Sequence, residues 1–500
     1  MAWCSRMNFL DWLGVLFGFR DDNVQNQGEC LVFHFAKLSN VPLYAAEDRR
    51  LPWLDHSLEL SRQAPHELHF MVLISWPKIL GNGDPWQALK NWGVQAELLT
   101  VFITWDALHF LKFVLDAVEG RDLWEEDLIL ETELKTINKP AVKTIETEYG
   151  EMYDCVDVYE QPSLDHPLLK DHVVQMRPSA ALQKTLKASR MSYLSSVDHN
   201  PIKIGLEDGC PLGTVPIRRT TKGDLIRAKS SFTKHHFNDL AVDAGGGSYE
   251  YAGIVTKTGL GKAYHGAGAR LDIYNPRAEN EQLSAAIIMV LAGPLGKRGG
   301  IRTGWMVNPE LYGDSRTRFF TSWTQENNGR TSGCYDLTCP GFIQTSRFIP
   351  LGASFSNVSQ IGGVQYDASM LISKDPVSGD WWLMVLDDDK PIGYWPKTLF
   401  ESLSRDADAA LWAGLVYSGS SDSPPMGSGV YQGGSFDHTC YMAQVVVGKP
   451  GEATFNPPDD DEVVVQQSRC YHAGDNSYVD ANWLYRFLFG GPGGSLESCK

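Results

Sequence analysis

The sequence predicts a mainly β protein. An antiparallel β-sandwich spans residues 246–500, preceded by a mixed region and by a helical or poorly structured N-terminal extension. Three observations carry this. From residue 246 onward, short runs rich in Val, Ile, Tyr and Trp alternate with clusters of Gly, Pro, Asn and Asp. No helical stretch there is long enough to cross between parallel strands, so antiparallel sheets packed face to face are the natural solution. No fixed period runs through the zone, which excludes a propeller or solenoid.

Residues 1–130 are rich in Trp, Leu and acidic side chains and contain no motif of known chemistry. They read either as a helical domain or as an artefact of gene-model prediction. Leu98 to Val118 is the most apolar window, but it carries Asp106, His109, Lys112 and Asp116. Those charges predict an amphipathic buried helix rather than a membrane span. Met1 to Phe19 is interrupted by Arg6 and Asp11 and lacks a clean small-residue cleavage site, so no signal peptide is read there.

Residues 131–240 form the second zone. Glu131 to Asn138 predicts a short helix stopped by Lys139-Pro140. Val142 to Ile145 and Cys155 to Tyr159 alternate as two strands, with the turn signal Glu148-Tyr149-Gly150 between them. The proline density further on predicts an extended, wrapping segment. In the third zone the predicted strands include Tyr251–Val255, Arg270–Tyr274, Ala286–Leu291, Gly304–Val307, Trp381–Val385 and Ala443–Val447.

The net charge of -17 argues against a nucleic-acid partner, which would need a concentrated basic face. H-E-x-x-H, G-x-S-x-G and P-loop patterns are absent from the sequence. Adjacent His235-His236 diverge on either a helix or a strand, so they make a poor metal site. The acidic runs Asp387-Asp388-Asp389 and Asp459-Asp460-Asp461-Glu462 do not fit the EF-hand pattern and read as solvated loops. No cofactor or metal is implied. Nine cysteines contain no C-x-x-C pair, and the odd total leaves at least one thiol unpaired within the chain. Cys334 and Cys339 suit a disulfide across a tight loop, worth about 2 kcal/mol by loop closure. Asn357-Val358-Ser359 is the one glycosylation sequon.

A series of ordered motifs points further. Trp305-Met306-Val307-Asn308-Pro309-Glu310-Leu311-Tyr312-Gly313-Asp314 is followed by Ser322-Trp323-Thr324 and by Gly333-Cys334-Tyr335-Asp336-Leu337-Thr338-Cys339. Gly379-Asp380-Trp381-Trp382-Leu383, Ile392-Gly393-Tyr394-Trp395-Pro396 and Pro425-Met426-Gly427-Ser428-Gly429 continue it. Together these resemble the neprosin family of plant secreted glutamic peptidases. Asp165-His166-Pro167-Leu168-Leu169 and Val215-Pro216-Ile217-Arg218-Arg219 resemble the activation peptide that precedes such domains. The resemblance covers about residues 131–500. It implies a β-sandwich, export from the cell, and a Cys470–Cys499 disulfide beside Cys334–Cys339.

The resemblance also implies a reaction: hydrolysis of peptide bonds, typically after proline, by two glutamates. One activates water and the other supplies a proton or hydrogen bond, because differing environments can separate two carboxyl pKa values. The family's first glutamate sits in an I-E-A-G-W-type run, here Ile301-Arg302-Thr303-Gly304-Trp305. The second sits in a W-G-G-E-V-type run, here Trp412-Ala413-Gly414-Leu415-Val416. Arg302 has no acceptor and stays protonated; Leu415 has no proton to give. Each loss typically costs roughly 10²- to 10⁴-fold. The expectation is a catalytically impaired protein that binds a peptide, proline-rich or otherwise, or cell-wall glycan in the inherited cleft. Trp305, Trp323, Tyr335 and Trp395 are the candidate cleft residues. Arg302 would pair there with a ligand carboxylate, or else point to water or a nearby acid. Two rivals stand: an active peptidase with displaced carboxylates, for which Glu310, Asp314 and Glu326 are the candidates, and a structural sandwich with a filled cleft.

Overall fold

Alternation of side chains between the two faces of each strand decides how this chain is layered. The computed structural model describes residues 127–495, apart from 194–199, 203, 235–247, 258–260, 295, 328–329, 386–389, 420–421, 432–435, 460, 466–468 and 482. The Leu98–Val118 helix, His235-His236, Asp387-Asp388-Asp389, Asp460 and Cys499 lie outside the described residues.

The strands, in chain order, are β1 Lys143–Glu146, β2 Met152–Asp157, β3 Asn200–Pro201, β4 Thr214–Arg218, β5 Ser248–Thr256, β6 Gly266–Asp272 and β7 Gln282–Ala292. They continue with β8 Gly299–Val307, β9 Arg318–Asn327, β10 Arg330–Tyr335, β11 Ile343–Gln344, β12 Tyr366–Lys374, β13 Trp381–Val385 and β14 Lys390–Trp395. The last six are β15 Ala409–Ser418, β16 Tyr441–Gly448, β17 Asp461–Val465, β18 His472–Ala473, β19 Ser477–Tyr478 and β20 Tyr485–Gly490. Four helices accompany them: α1 (127–137), α2 (Ala180–Tyr193), α3 (Lys222–Lys234) and α4 (Pro309–Tyr312).

Two large sheets make the sandwich. One has seven strands in the order β10-β9-β8-β7-β15-β5-β17. The other has ten, with the main path β11-β14-β13-β12-β6-β16-β20-β18. The pairings are antiparallel except β3 against β12. Between the sheets lies the main core, to which Trp305, Phe319, Trp323 and Trp412 contribute from the seven-stranded side and Leu271, Ile372, Leu383 and Trp395 from the other. Buried indoles need a hydrogen-bond partner. Trp305 Nε1 donates to the Asp272 carbonyl at 2.7 Å and Trp412 Nε1 to the Gly268 carbonyl at 3.1 Å, tying the two sheets together at β6.

The region before residue 246 is more than a wrapping strand. β1, β2 and β4 form their own three-stranded sheet, stapled by a Cys155–Cys210 disulfide. Val156, Val158, Leu169, Leu182, Ile202, Val215 and Ile217 join the same core cluster as the sandwich tryptophans. The extended pieces bury alternate side chains there, and the expectation of a segment without a core is corrected accordingly. Polar anchors fix the seam: the Tyr394 hydroxyl accepts from the Gln175 amide at 2.9 Å and meets His172 Nε2 at 2.8 Å.

Candidate functional site

The side of the seven-stranded sheet that faces away from the main core carries a second apolar cluster. Arg302 and Leu415 both lie on this side. Even-numbered residues of β8 and odd-numbered residues of β7 and β15 share it, so Met306, Met289, Leu411 and Leu415 stand together while Trp305 and Trp412 point the other way. Register places Arg302 opposite Met289, and Met289 opposite Leu411. Leu415 lies four residues beyond Leu411, opposite Ala285 on one side and Tyr251 on the other. The two positions are thus about 10 Å apart across the strands and about 13 Å apart along them. They share a face without touching.

Gly304 lies between them along β8. Its φ is +152°, and a Cβ there would meet the Ala286 carbonyl oxygen at 1.9 Å. Only glycine fits there.

Arg302 is 3% exposed, which corrects the reading that it points into water. Its Nε approaches Met289 Sδ at 3.4 Å. Burial pushes its guanidinium below the ordinary value, and Tyr251, Tyr335 and Tyr249 act in the opposite sense. Even so lowered, an arginine keeps its proton at any working pH. Leu415 is 1% exposed. On β8, β7, β15 and β5, the residues that share this face carry no carboxylate; the functional groups there are one guanidinium and the phenols of Tyr249, Tyr251 and Tyr417.

The cover is α3. Thr221 and Asp224 start it as a capping box: the Thr221 amide donates to Asp224 Oδ2 at 2.9 Å, and the Asp224 amide to Thr221 Oγ1 at 3.1 Å. Ala228 and Phe232 then present one helical face to the cluster that holds Leu415 and Met289. Leu225, on another side of α3, packs with Leu130 and Ile137 of α1. Ser230 Oγ donates to Glu310 Oε1 at 3.3 Å.

Of the four candidate cleft aromatics, only Tyr335 is on this side of the sheet. Trp305, Trp323 and Trp395 belong to the main core and are at most 2% exposed, so they are not cleft walls. The strand period sends them inward. Trp323 stacks edge-on to Phe400 and Trp395 edge-on to Phe342. Two of the three candidate substitute acids, Asp314 and Glu326, are used elsewhere, while Glu310 meets the covering helix at Ser230. Glu310 sits in the single turn of α4. Asp314 binds Arg318, and Glu326 Oε2 accepts from the Gly296 amide at 2.7 Å.

A second buried arginine on the same face escaped sequence reasoning. Arg318 is 1% exposed and reaches Glu151 of the region before the sandwich as well as Asp314 at 2.5 Å. Burial disfavours its charge, but the two carboxylates outweigh this and hold its pKa above the ordinary value. Beside it, Asp336 accepts from the Tyr312 hydroxyl and from the Thr321 amide, each at 2.9 Å. Burial raises the Asp336 carboxyl to about 6 against those hydrogen bonds. The charges were visible in the sequence, but nothing local linked residue 151 to 318.

The cysteines fall as follows. Cys334–Cys339 is formed, and Cys470 is disulfide-bonded to a partner outside the described residues. Among the described residues the free thiol is Cys440, which is buried. Asn357 is exposed.

The fold and its cover define a two-sheet, mainly antiparallel β protein whose preceding region packs on one sheet. Residues 280–492 match the family model Neprosin, and residues 144–244 match Neprosin activation peptide. These two stretches belong to the neprosin family, an activation peptide followed by a neprosin domain. A stretch of 125 residues, 24% of this chain, is 30% identical to "Callose synthase 12" of Arabidopsis thaliana, and 31 residues, 6% of the chain, are 64% identical to "Callose synthase 11" of the same plant. The chain spans only 7% and 2% of those two relatives. Among solved structures, Scytalido-glutamic peptidase with a peptide-based transition state analog is 12% identical with a TM-score of 0.25, over 49% of this chain and 98% of that one. SCP-B, a member of the Eqolisin family of peptidases in complex with the tripeptide Ala-Ile-His, is 9% identical with a TM-score of 0.23, over 49% and 98%. Scores of this size carry no argument about activity.

Proposed function

We propose that this chain is a neprosin-domain protein without hydrolytic activity, whose inherited face binds polypeptide. One observation carries the reading: the side of β8, β7, β15 and β5 that holds positions 302 and 415 presents a guanidinium, phenols and apolar groups, and no carboxylate. Water activation at such a face has no general base, and the opposite partner has no acid. Polypeptide is the favoured ligand because the face already accommodates one, the helix α3. A proline-rich peptide or cell-wall glycan would have to displace α3 to reach Arg302. The Cys155–Cys210 and Cys334–Cys339 disulfides suit an oxidising compartment, and we read the protein as secreted.

The test is hydrolysis of a proline-containing peptide at acidic pH, together with cleavage of the chain itself. Wild type is expected to do neither. Arg302→Glu with Leu415→Glu is expected to regain at least one of the two. Cleavage by wild type that persists in Glu310→Gln, Asp314→Asn and Glu326→Gln would leave the proposal without a mechanism. Binding is read separately, by titrating a proline-rich peptide and a pectic oligosaccharide against the full chain.

The likeness to callose synthases is assigned to the N-terminal extension. Outside the two family matches the longest stretch is residues 1–143, and it alone holds 125 residues without overlap. This supports an origin of that extension distinct from the neprosin region. Sequencing transcripts across residues 120–145 decides it: a continuous message supports a real fusion, and two messages support the artefact.

A further inference from the structure

We propose that Asn357 carries an N-linked glycan, and that the glycan is attached before the 354–366 segment docks, because folding takes the sequon serine away. The inference rests on the secreted reading above. Its test is arranged so that the two can fail separately.

Glycan transfer needs both ends of the sequon. The amide nitrogen of Asn357 attacks C1 of a lipid-pyrophosphate-linked oligosaccharide. The N–C bond forms, the bond from C1 to the phosphate oxygen breaks, the lipid pyrophosphate leaves, and the amide gives up one proton. The Ser359 hydroxyl must be open to the transferase while this happens.

In the folded chain the two ends have opposite fates. Asn357 is exposed, in a loop outside any strand, and its Nδ2 has only Ser356 Oγ nearby at 3.5 Å. A glycan there meets solvent. Ser359 is 4% exposed. Its hydroxyl donates to Asp272 Oδ1 at 2.6 Å and accepts from the Tyr366 amide at 2.8 Å, while its own amide donates to the Ile273 carbonyl at 2.7 Å. The serine therefore closes the end of β6 onto β12. Asp272 is completely buried, and its other oxygen has no hydrogen-bond partner. Opening Ser359 to an enzyme would strip the carboxyl of its side-chain donor and unlatch the loop from both strands, which is costly once the sheet exists. The sequon serine has two uses in sequence: first in recognition by the transferase, then as the donor to a buried acid.

The full chain is expressed behind a supplied signal peptide in a eukaryotic secretory host, as wild type, Asn357→Gln, Ser359→Ala and Ser359→Thr. Supplying the signal makes the outcome independent of whether the natural chain is exported. Wild type and Ser359→Thr are expected to show a mobility shift that an N-glycan-removing amidase abolishes, leaving Asp at position 357. Asn357→Gln and Ser359→Ala are expected to lack the shift. Of these two glycan-free variants, Asn357→Gln should melt higher than Ser359→Ala. In a second arm, glycan-free full chain is offered to transferase-bearing microsomes with the lipid-linked donor, folded or reduced and unfolded. The unfolded chain is expected to be modified and the folded chain to stay unmodified. An exported wild type with no glycan at Asn357 overturns the site. Equal modification of folded and unfolded chain overturns the order of events, and equal melting of Asn357→Gln and Ser359→Ala overturns the second use of the serine.

Discussion

Two arginines lie on one face of the seven-stranded sheet, almost equally buried, and in opposite circumstances. Arg318, at one end, is clasped by Asp314 and by Glu151 of the activation-peptide region. Arg302, toward the middle, is surrounded by Met289 and three tyrosines. The first pair of carboxylates raises the pKa of its arginine; burial lowers that of the other. The difference teaches what each charge does. At Arg318 the ion pair with Glu151 crosses from one region to the other and holds them together, while that with Asp314 is local. At Arg302 the charge is buried beside a thioether and among phenols.

The sharpest way to break this comparison is Arg318→Met. It leaves Glu151 with only the more distant Arg218, at 3.8 Å, and losing one partner of a buried pair costs up to about 3–5 kcal/mol. Denaturant unfolding measures it, and a loss under about 1 kcal/mol would make the corner no different from the centre. The Cys155–Cys210 disulfide reinforces the same region. Its cysteines are 55 positions apart, against 5 for Cys334–Cys339. By loop closure, Cys155→Ser with Cys210→Ser should cost about 4 kcal/mol and Cys334→Ser with Cys339→Ser about 2 kcal/mol. Equal midpoints for the two double variants would show that the activation-peptide region adds little to the common fold.

Asp336 sharpens the comparison through pH. Its folded carboxyl keeps the proton up to about pH 6, whereas the ordinary value is 3.8. The folded chain therefore holds the extra proton between those values. The stability it contributes is fully present below about pH 4 and is lost as pH rises through 6, about 3 kcal/mol in all. Asp336→Asn should remove that slope, so the difference in melting temperature between wild type and variant should change sharply between pH 4 and pH 6 and little above pH 7. The smallest effect is expected at the centre. Arg302→Met removes a desolvated charge whose electrostatic neighbours are phenols, and stability should stay within about 1 kcal/mol of wild type. A loss as large as that of Arg318→Met would show that Arg302 also holds the regions together.

Much of the sandwich was legible in the sequence. Trp381–Val385 coincides with β13, and Ala443–Val447 lies inside β16, because short runs rich in aromatic, aliphatic or β-branched residues suit a buried strand. Cys334–Cys339 was legible because five positions of chain leave little choice of partner. Cys155–Cys210 was not, since its ends are 55 positions apart and no local pattern links them. The tryptophans were the instructive miss. Trp305, Trp323 and Trp395 suited a cleft wall by chemistry, but a one-residue step along a strand exchanges cleft for core, and only the register settles that step. The same holds for the helix over the face. Its capping box at Thr221 and Asp224 is local, while its resting place against α4 and β10 is not.

By itself, the sequence determined that positions 302 and 415 hold a cation and an aliphatic chain, because protonation chemistry belongs to the residue type. It also determined the strand-rich layering, because a period of two in hydrophobicity suits a half-buried strand. Tertiary structure alone decided that these two positions share one face four residues out of step, that an activation-peptide helix packs on that face, and that Arg318 meets Glu151. Those outcomes depend on strand order and register, which are set by packing between residues far apart in the chain.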